Sequence, residues 1–150
     1  MIRPATLADR AQLYGLALEY TELYPLRPEK VKLLQIITEA ISAKRNFIRV
    51  SHTPRGKIEG ALVALTSENI WAQKQCCHII FWASLIHGDG IAMLREFKRW
   101  VKDRQVIRVA GFAPDLKVDP RIWKLAERVG FIQRGGAYLW YRGGDSYGFV

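Results

Sequence analysis

The sequence predicts one α/β domain, residues 1–150, whose sheet is covered by helices on both sides. Three observations carry this. The chain has 150 residues, which suits one domain that buries roughly 68–70% of its unfolded surface. Hydrophobic residues are 49% and charged residues 25%, the balance of ordinary globular proteins, so disorder and fibres are excluded. Helical and strand periods alternate in the order β-α-α-β-β-β-α-β-α-β-β. Two of those strands are apolar on both faces, as happens when helices cover both sides of a sheet.

Ile2-Arg3 reads as a short first strand. Thr6 then reads as an N-cap with Asp9 three residues on, an acidic capping-box variant. The helix it opens spans 7–20 and stops at the Tyr24-Pro25 region. Pro28 suits the first position of a second helix, in which Leu33, Leu34, Ile37, Ala40 and Ile41 recur at three-to-four spacing. Residues 46–51 alternate as a strand, and Pro54-Arg55-Gly56-Lys57 is a turn. The doubly apolar strands are 58–66 and 75–84. Helical period returns over 89–104: Ile91, Leu94, Phe97 and Val101 form one stripe, while Arg95, Lys98, Arg99 and Lys102 lie off it. Residues 106–112 form a strand. Asp119-Pro120 opens the last helix with a cap and a first-turn proline, and Gly130 closes it as C′. Residues 131–142 form a hairpin around Gly135-Gly136.

No apolar h-region follows Met1-Ile2-Arg3-Pro4, so no secretory signal is expected. No apolar run reaches the roughly 18–20 residues of a membrane helix. Cys76 and Cys77 are adjacent and point to opposite faces of a strand, which suits buried thiols in a reducing cytoplasm better than a bridge. His52, His78 and His87 have no ligand spacing with them, so no metal site is expected. The unusual number is the charge: 23 Lys+Arg against 14 Asp+Glu gives +9, which points to nucleic acid, an acidic protein or a phosphorylated cofactor.

The segment richest in chemistry is His87-Gly88-Asp89-Gly90-Ile91-Ala92, between a buried strand and an amphipathic helix. Two glycines allow a tight bend and close approach of a ligand. The following helix offers unpaired N–H groups and the positive end of its dipole, an anion cradle suited to a pyrophosphate.

At this point the chain resembles the GNAT superfamily of acyl-CoA-dependent N-acyltransferases, over about residues 2–142. Ile2-Arg3-Pro4-Ala5-Thr6 resembles the family's opening strand and turn. His87-Gly88-Asp89-Gly90-Ile91-Ala92 resembles its pyrophosphate loop, with His in place of Gln/Arg. Leu125-Ala126-Glu127-Arg128-Val129-Gly130-Phe131 resembles its L-Y-E-x-x-G-F segment. The resemblance implies a mixed, mostly antiparallel sheet with helices on both faces. It implies a fourth strand that splays from the fifth at a bulge, matched here by Trp82, Ala83 and Ser84, whose backbone would bind pantetheine. Acetyl-CoA or another acyl-CoA would bind there, with its diphosphate on the N–H groups of Gly88 to Ala92. His87 would face a phosphate or simply be an exposed loop residue. Asp119 falls where many members carry a pantetheine-contacting Asn, and is equally a plain N-cap.

The reaction the resemblance implies is attack of an amine on the thioester, which needs a base, an oxyanion donor and an acid for the thiolate. His78 stands where the histone-acetyltransferase branch has its Glu base. Strand alternation places it on one face with Ile80, Trp82 and Ser84. Imidazole can serve as that base. The other reading is a hydrogen-bonded core histidine. The family's Tyr acid is replaced by Ala126, which leaves Ser84, Tyr138, Tyr141 or water for the role, or a chain that has lost acyl transfer. Both tyrosines also suit hairpin packing.

The amine acceptor is not identified by any motif, and a monomer or a homodimer is equally compatible. Part of the +9 charge would serve CoA. Lys98, Arg99, Lys102 and Arg104 on the helix after the loop read as a solvated stripe or a partner surface. Arg134, Tyr138, Trp140, Tyr141, Arg142, Tyr147 and Phe149 suit base stacking and phosphate contact, or an ordinary last strand with a packed tail. A module that binds or modifies nucleic acid, or binds an acidic partner without acyl transfer, is the alternative reading.

Overall fold

The structure is a computed structural model and describes residues 1–21, 29–68, 75–112, 121–134 and 137–142. The strands are β1 Ile2–Pro4, β2 Phe47–His52, β3 Ile58–Glu68, β4 Gln75–Ser84, β5 Ile107–Phe112, β6 Ile132–Arg134 and β7 Ala137–Tyr141. They form one sheet in the order β1-β2-β3-β4-β5-β7-β6. Only β4 and β5 run parallel; the other neighbours are antiparallel. A parallel pair needs a crossover, and α3 (Asp89–Asp103) supplies it. The other helices are α1 Arg10–Thr21, α2 Lys30–Ser42 and α4 Arg121–Val129. The sheet is therefore mixed and mostly antiparallel, as expected.

Helices cover both faces, which explains the doubly apolar strands. On one face Leu13 and Leu16 of α1, with Ile37 and Ile41 of α2, pack on Val50, Ile58 and Ala61. On the other, Met93, Leu94, Phe97 and Val101 of α3 join Ala126 and Val129 of α4 over Phe47, Leu62, Ala64 and Cys77. Phe97 centres this second core: its ring lies 5.4 Å from Phe47, edge-on, and 6.5 Å from Phe131, stacked.

Polar side chains lock the entry to the first helix. Leu7–Asp9 is a 3-10 turn, and α1 starts only at Arg10. Asp9 is buried and accepts both guanidinium nitrogens of Arg3, at 2.8 and 2.9 Å. It also accepts the Thr6 N–H at 2.8 Å, which is one half of the capping box. Both halves of the capping box are present, and the Thr6 hydroxyl also lies 3.2 Å from the Asp9 carboxylate.

The last helix ends as its glycine predicts. Gly130 has φ 101°, and the N–H groups of Gly130 and Phe131 bond the carbonyls of Glu127 and Ala126. That is a Schellman motif, and it accounts for the spacing of glycine and aromatic. Helix α2 begins at Lys30 after an extended Glu29. Tyr24-Pro25, Pro28, Asp119-Pro120, Gly135-Gly136, Tyr147 and Phe149 lie outside the described residues.

One basic side chain is corrected and another is settled. Lys98, expected on the outer stripe, turns toward α4 and donates from Nζ to the Val129 carbonyl at that helix's C-terminus. Arg142, read either for phosphate contact or as part of an ordinary packed last strand, donates to the carbonyls of Val101 (2.7 Å), Arg104 (3.1 Å) and Ile107 (3.0 Å). It fastens β7 to the end of α3 and the start of β5.

The Arg3 hydrogen bonds hold the Asp9 carboxyl at about 2, below its ordinary 3.8. A lowered folded-state pKa stabilises the fold above the unfolded value, and this stabilisation fades as pH falls from about 4 towards 2. Asp9→Asn should therefore lower stability by about 1–2 kcal/mol at neutral pH, since Arg3 is partly solvent-screened. Urea melts at pH 7 and at about pH 2 should show that the gap between wild type and variant closes in acid.

Candidate functional site

The site begins with a slip in one ladder. In the β3–β4 pair, Val63 faces Phe81 but Ala64 faces Ile79, so Ile80 is an extra residue in β4. Such a bulge bends its strand and increases the local twist. Here it also exchanges faces. Cys77 and Ile79 point into the α3–α4 core, whereas Phe81 packs against the α1–α2 core. Trp82 then returns to the α3 side. The expected common face of His78, Trp82 and Ser84 is thus corrected. His78 looks to the α1–α2 side, and Trp82 and Ser84 look to the α3 side. The bulge itself is at Ile80, and Trp82, Ala83 and Ser84 are regularly paired with Leu62, Ala61 and Gly60.

The same strand leaves its other neighbour. β4 pairs with β5 only over residues 75–78, ending at His78 opposite Gly111. Among the described residues, 79–84 of β4 have no partner on that edge, and the ladder ends at His78; this ladder end is the fork. His78 is exposed, and Ile80 beside it is 56% exposed. The helices α1 and α2 pack chiefly over β2 and β3.

At the far end of β4 the backbone turns into α3. Gly60 makes room: a Cβ there would lie 2.6 Å from the Ala83 carbonyl oxygen and 2.7 Å from the Ser84 Cα. The Ser84 hydroxyl accepts the Ile86 N–H (3.1 Å), lies 3.2 Å from the Ile86 carbonyl and reaches the Ser51 hydroxyl at 3.3 Å. Buried Ser51 of β2 donates to Asp89 Oδ2 at 2.6 Å, and the Met1 amino group donates to the same oxygen at 3.0 Å. These bonds, chiefly that from Ser51, lower the Asp89 pKa and keep its carboxylate turned toward β2.

Gly88 is the N-cap of α3, with φ 82° and no side-chain cap on the helix. The Asp89 N–H bonds the Ile86 carbonyl, and the Ala92 N–H closes the first helical turn on Gly88. Helix geometry leaves the Gly90 and Ile91 amides without intrahelical partners. Trp82 Nε1 donates to the Gly90 carbonyl at 3.0 Å, which ties the end of β4 to that turn. A Cβ at Gly90 would meet only Trp82 Nε1 at 3.7 Å and the Ser84 Cβ at 3.9 Å. His87 is exposed beside the turn, and Ile91 is partly buried against the core. The segment therefore has an open, uncapped helix start lined by backbone rather than by side chains.

The remaining candidates separate clearly. Tyr138 is buried, stacked on Phe112 with centroids 5.5 Å apart, and its hydroxyl pKa is raised, first by burial and then by Glu127. It lies in the α3–α4 core, not at the open face of the fork. Ser84 is six residues from His78, roughly 20 Å along a strand, and its hydroxyl serves the β4–α3 turn. The Tyr141 backbone pairs with Val109, and Val109 with Cys76, the register row two residues before His78 and Gly111. Asp119 lies outside the described residues. Ala126 is fully buried, so the position of the family's tyrosine here holds a packing residue. Cys76 and Cys77 are buried thiols outside any disulfide, and burial pushes the Cys77 thiol up to about 11, away from thiolate chemistry.

Sequence reasoning missed Ser51 and Gly60. Gly60 had a readable signal, since a glycine inside an apolar strand marks a close backbone approach. Ser51 had none, because its partner is 38 residues away.

No protein-family model and no curated protein matches the chain. Solved structures do. A GNAT superfamily phosphinothricin acetyltransferase from Sinorhizobium meliloti, in complex with AcCoA, is 17% identical at TM-score 0.77, covering 95% of this chain and 88% of that one. A ribosomal-protein-alanine N-acetyltransferase from Brucella melitensis is 14% identical at TM-score 0.76, covering 95% and 99%. NAA60 of Arabidopsis thaliana, in complex with acetyl-CoA, is 13% identical at TM-score 0.72, covering 96% and 99%. The likeness is one of fold: the chain has the fold of the GNAT acetyltransferases.

The two glycines of the turn should behave differently. Gly88→Ala forces a side chain into the left-handed region and should cost roughly 1–2 kcal/mol. Gly90→Ala makes only ordinary contacts and should leave stability within about 0.5 kcal/mol. Thermal melts of the two variants read this difference.

Proposed function

We propose that the chain is an acyl-CoA-dependent N-acyltransferase that takes acetyl-CoA, or a close acyl analogue, and acylates an amine. One observation carries the reading: the β4–β5 fork, which closes at an exposed His78 while its β4 arm runs to the uncapped, glycine-bounded start of α3. Two of the structural neighbours hold acetyl-CoA.

The residues present fit such a donor. Gly88 and Gly90 keep side chains out of the cradle, and the Asp89 carboxylate is held aside by Ser51. The Gly90 and Ile91 amides would take the diphosphate at the positive end of the α3 dipole. The unpaired edge of β4 past His78 offers backbone donors and acceptors for the pantetheine amides. An acyl-CoA supplies an activated acyl group on a good leaving thiolate; the protein supplies orientation and proton transfer.

His78 is the base in this reading. Its imidazole is open to solvent on the side where an amine can approach, and the Gly111 row next to it brings no side chain. It would take a proton from the ammonium to free the amine for attack, or from the adduct that the amine forms, directly or through water. With Tyr138 enclosed in the core and Tyr141 two register rows behind His78, water at the open edge is the acid for the thiolate in this reading. Ser84 and Trp82 position the loop.

Calorimetry with acetyl-CoA should show binding, and thiol release with a panel of amines should show turnover. Gly90→Glu should abolish binding with an unchanged melting temperature, because it fills and charges the cradle. Absence of binding at millimolar acetyl-CoA would overturn the reading. His78→Ala should lower kcat by about 10²-fold or more and leave donor affinity within about twofold. An unchanged kcat would return His78 to a structural role.

A further inference from the structure

Exposed cations occur over much of the surface, Lys44, Arg45, Arg55 and Arg104 among them, and one set is grouped along two helices. Around α1 and α2, Arg10, Lys30 and Lys32 share the surface with Glu19, Glu29 and Glu39. Near β1 to β3, Arg3, Arg49 and Lys57 are paired with Asp9, Glu96 and Glu59. The outer side of α3 and α4 differs. Arg95, Arg99 and Lys102 are exposed on α3 at spacings of four and three, which puts them on one stripe. Lys124 and Arg128 are exposed four apart on α4. The two helices share a core and are joined by the Lys98 bond to Val129. Among the described residues none of the five exposed cations is in an ion pair. Only Asp103 and Glu127 are exposed acids on these helices.

A stripe that merely solvates a helix places Glu three or four residues from Lys or Arg. Arg95 instead has Lys98 and Arg99 at those positions, and Lys102 has the same two. Like charges so placed destabilise a helix. Lys98 registers the crowding: its pKa is lowered, first by burial and then by Lys102. Arg99 has Glu96 three before it and Asp103 four after it, and Lys124 has Glu127 three after it, so the repulsion is concentrated at Arg95 and Lys102, where an anionic partner would relieve it.

We propose that the outer face of α3 and α4 binds the phosphate backbone of nucleic acid without reading sequence. The chemistry favours phosphate, since three of the five cations are Arg, whose planar fork bonds phosphate oxygens in pairs. It disfavours an anionic membrane, because none of the exposed large hydrophobic side chains lies on α3 or α4. The surface lies on the outside of the helices, away from the fork, so it does not depend on the acyltransferase reading.

The test is fluorescence anisotropy with a labelled DNA duplex and a labelled single strand over about 50–200 mM salt. Four or five neutralised phosphates should give a log K against log salt slope of about −4. Arg95→Glu with Lys124→Glu creates favourable pairs with Arg99 and Arg128. It should weaken binding at least about tenfold while the melting temperature stays equal or rises. Arg95→Gln with Lys124→Gln gives the same readout should the first variant fold poorly. Saturating CoA should leave binding in place. Displacement by CoA, unchanged affinity in both variants, or no binding at about 50 mM salt would each overturn the proposal. So would binding to anionic phospholipid vesicles alone.

Discussion

One unpaired residue, Ile80, sets the geometry on which the site depends. Before it, β4 is held between β3 and β5; after it, β3 is the only strand neighbour among the described residues. A bulge bends and twists its strand, and this one sits two residues past the last β4–β5 pair at His78. The face exchange follows from it. With strict alternation, Trp82 would share a side with His78 and its indole would not reach the Gly90 carbonyl. With the bulge, β4 presents an imidazole to one side of the sheet near the fork and ties down the α3 turn on the other.

The end of that strand is then a matter of close packing. Gly60 lets β4 curl over β3, and Ser84 turns its hydroxyl back on Ile86. Asp89 presents the harder electrostatic problem. A carboxylate in the first turn is favoured by the helix dipole and would repel an anion at the same place. Buried Ser51 resolves this by drawing the carboxylate toward β2, so the charge stays on the helix while the Gly90 and Ile91 amides face away from it. The cradle thus rests on β2 as well as on the glycines.

This division explains how much was legible in the sequence. The helices and strands were readable because burial on two faces leaves apolar periods and because Gly130 must adopt a positive φ. The resemblance placed the turn at Gly88–Ala92 correctly for the same reason. The bulge was not readable: in His78-Ile79-Ile80-Phe81-Trp82 the apolar run continues through the slip, so the pattern carries no mark of which residue is extra. Alternation counted through such a run gives the wrong face for everything beyond it. Lys98 was misplaced, and Arg142 left open, for another reason. Their partners are main-chain carbonyls 31 to 41 residues away, and a charge pattern says nothing about carbonyls.

The formal charge of +9 therefore divides by what each cation touches. Arg3 and Arg49 are matched by carboxylates, and Lys98 and Arg142 are spent on helix and strand ends. The cradle at α3 contributes nothing to the count, since its attraction comes from amide dipoles. The α3–α4 stripe is a further group, in which exposed cations stand three and four residues apart along a helix; Lys44, Arg45 and Arg55 are exposed elsewhere. Binding one anion through backbone dipoles and another through side-chain charge makes the two separable by salt. Dipoles and close hydrogen bonds in a cleft are screened little, whereas exposed charges lose most of their attraction beyond a Debye length.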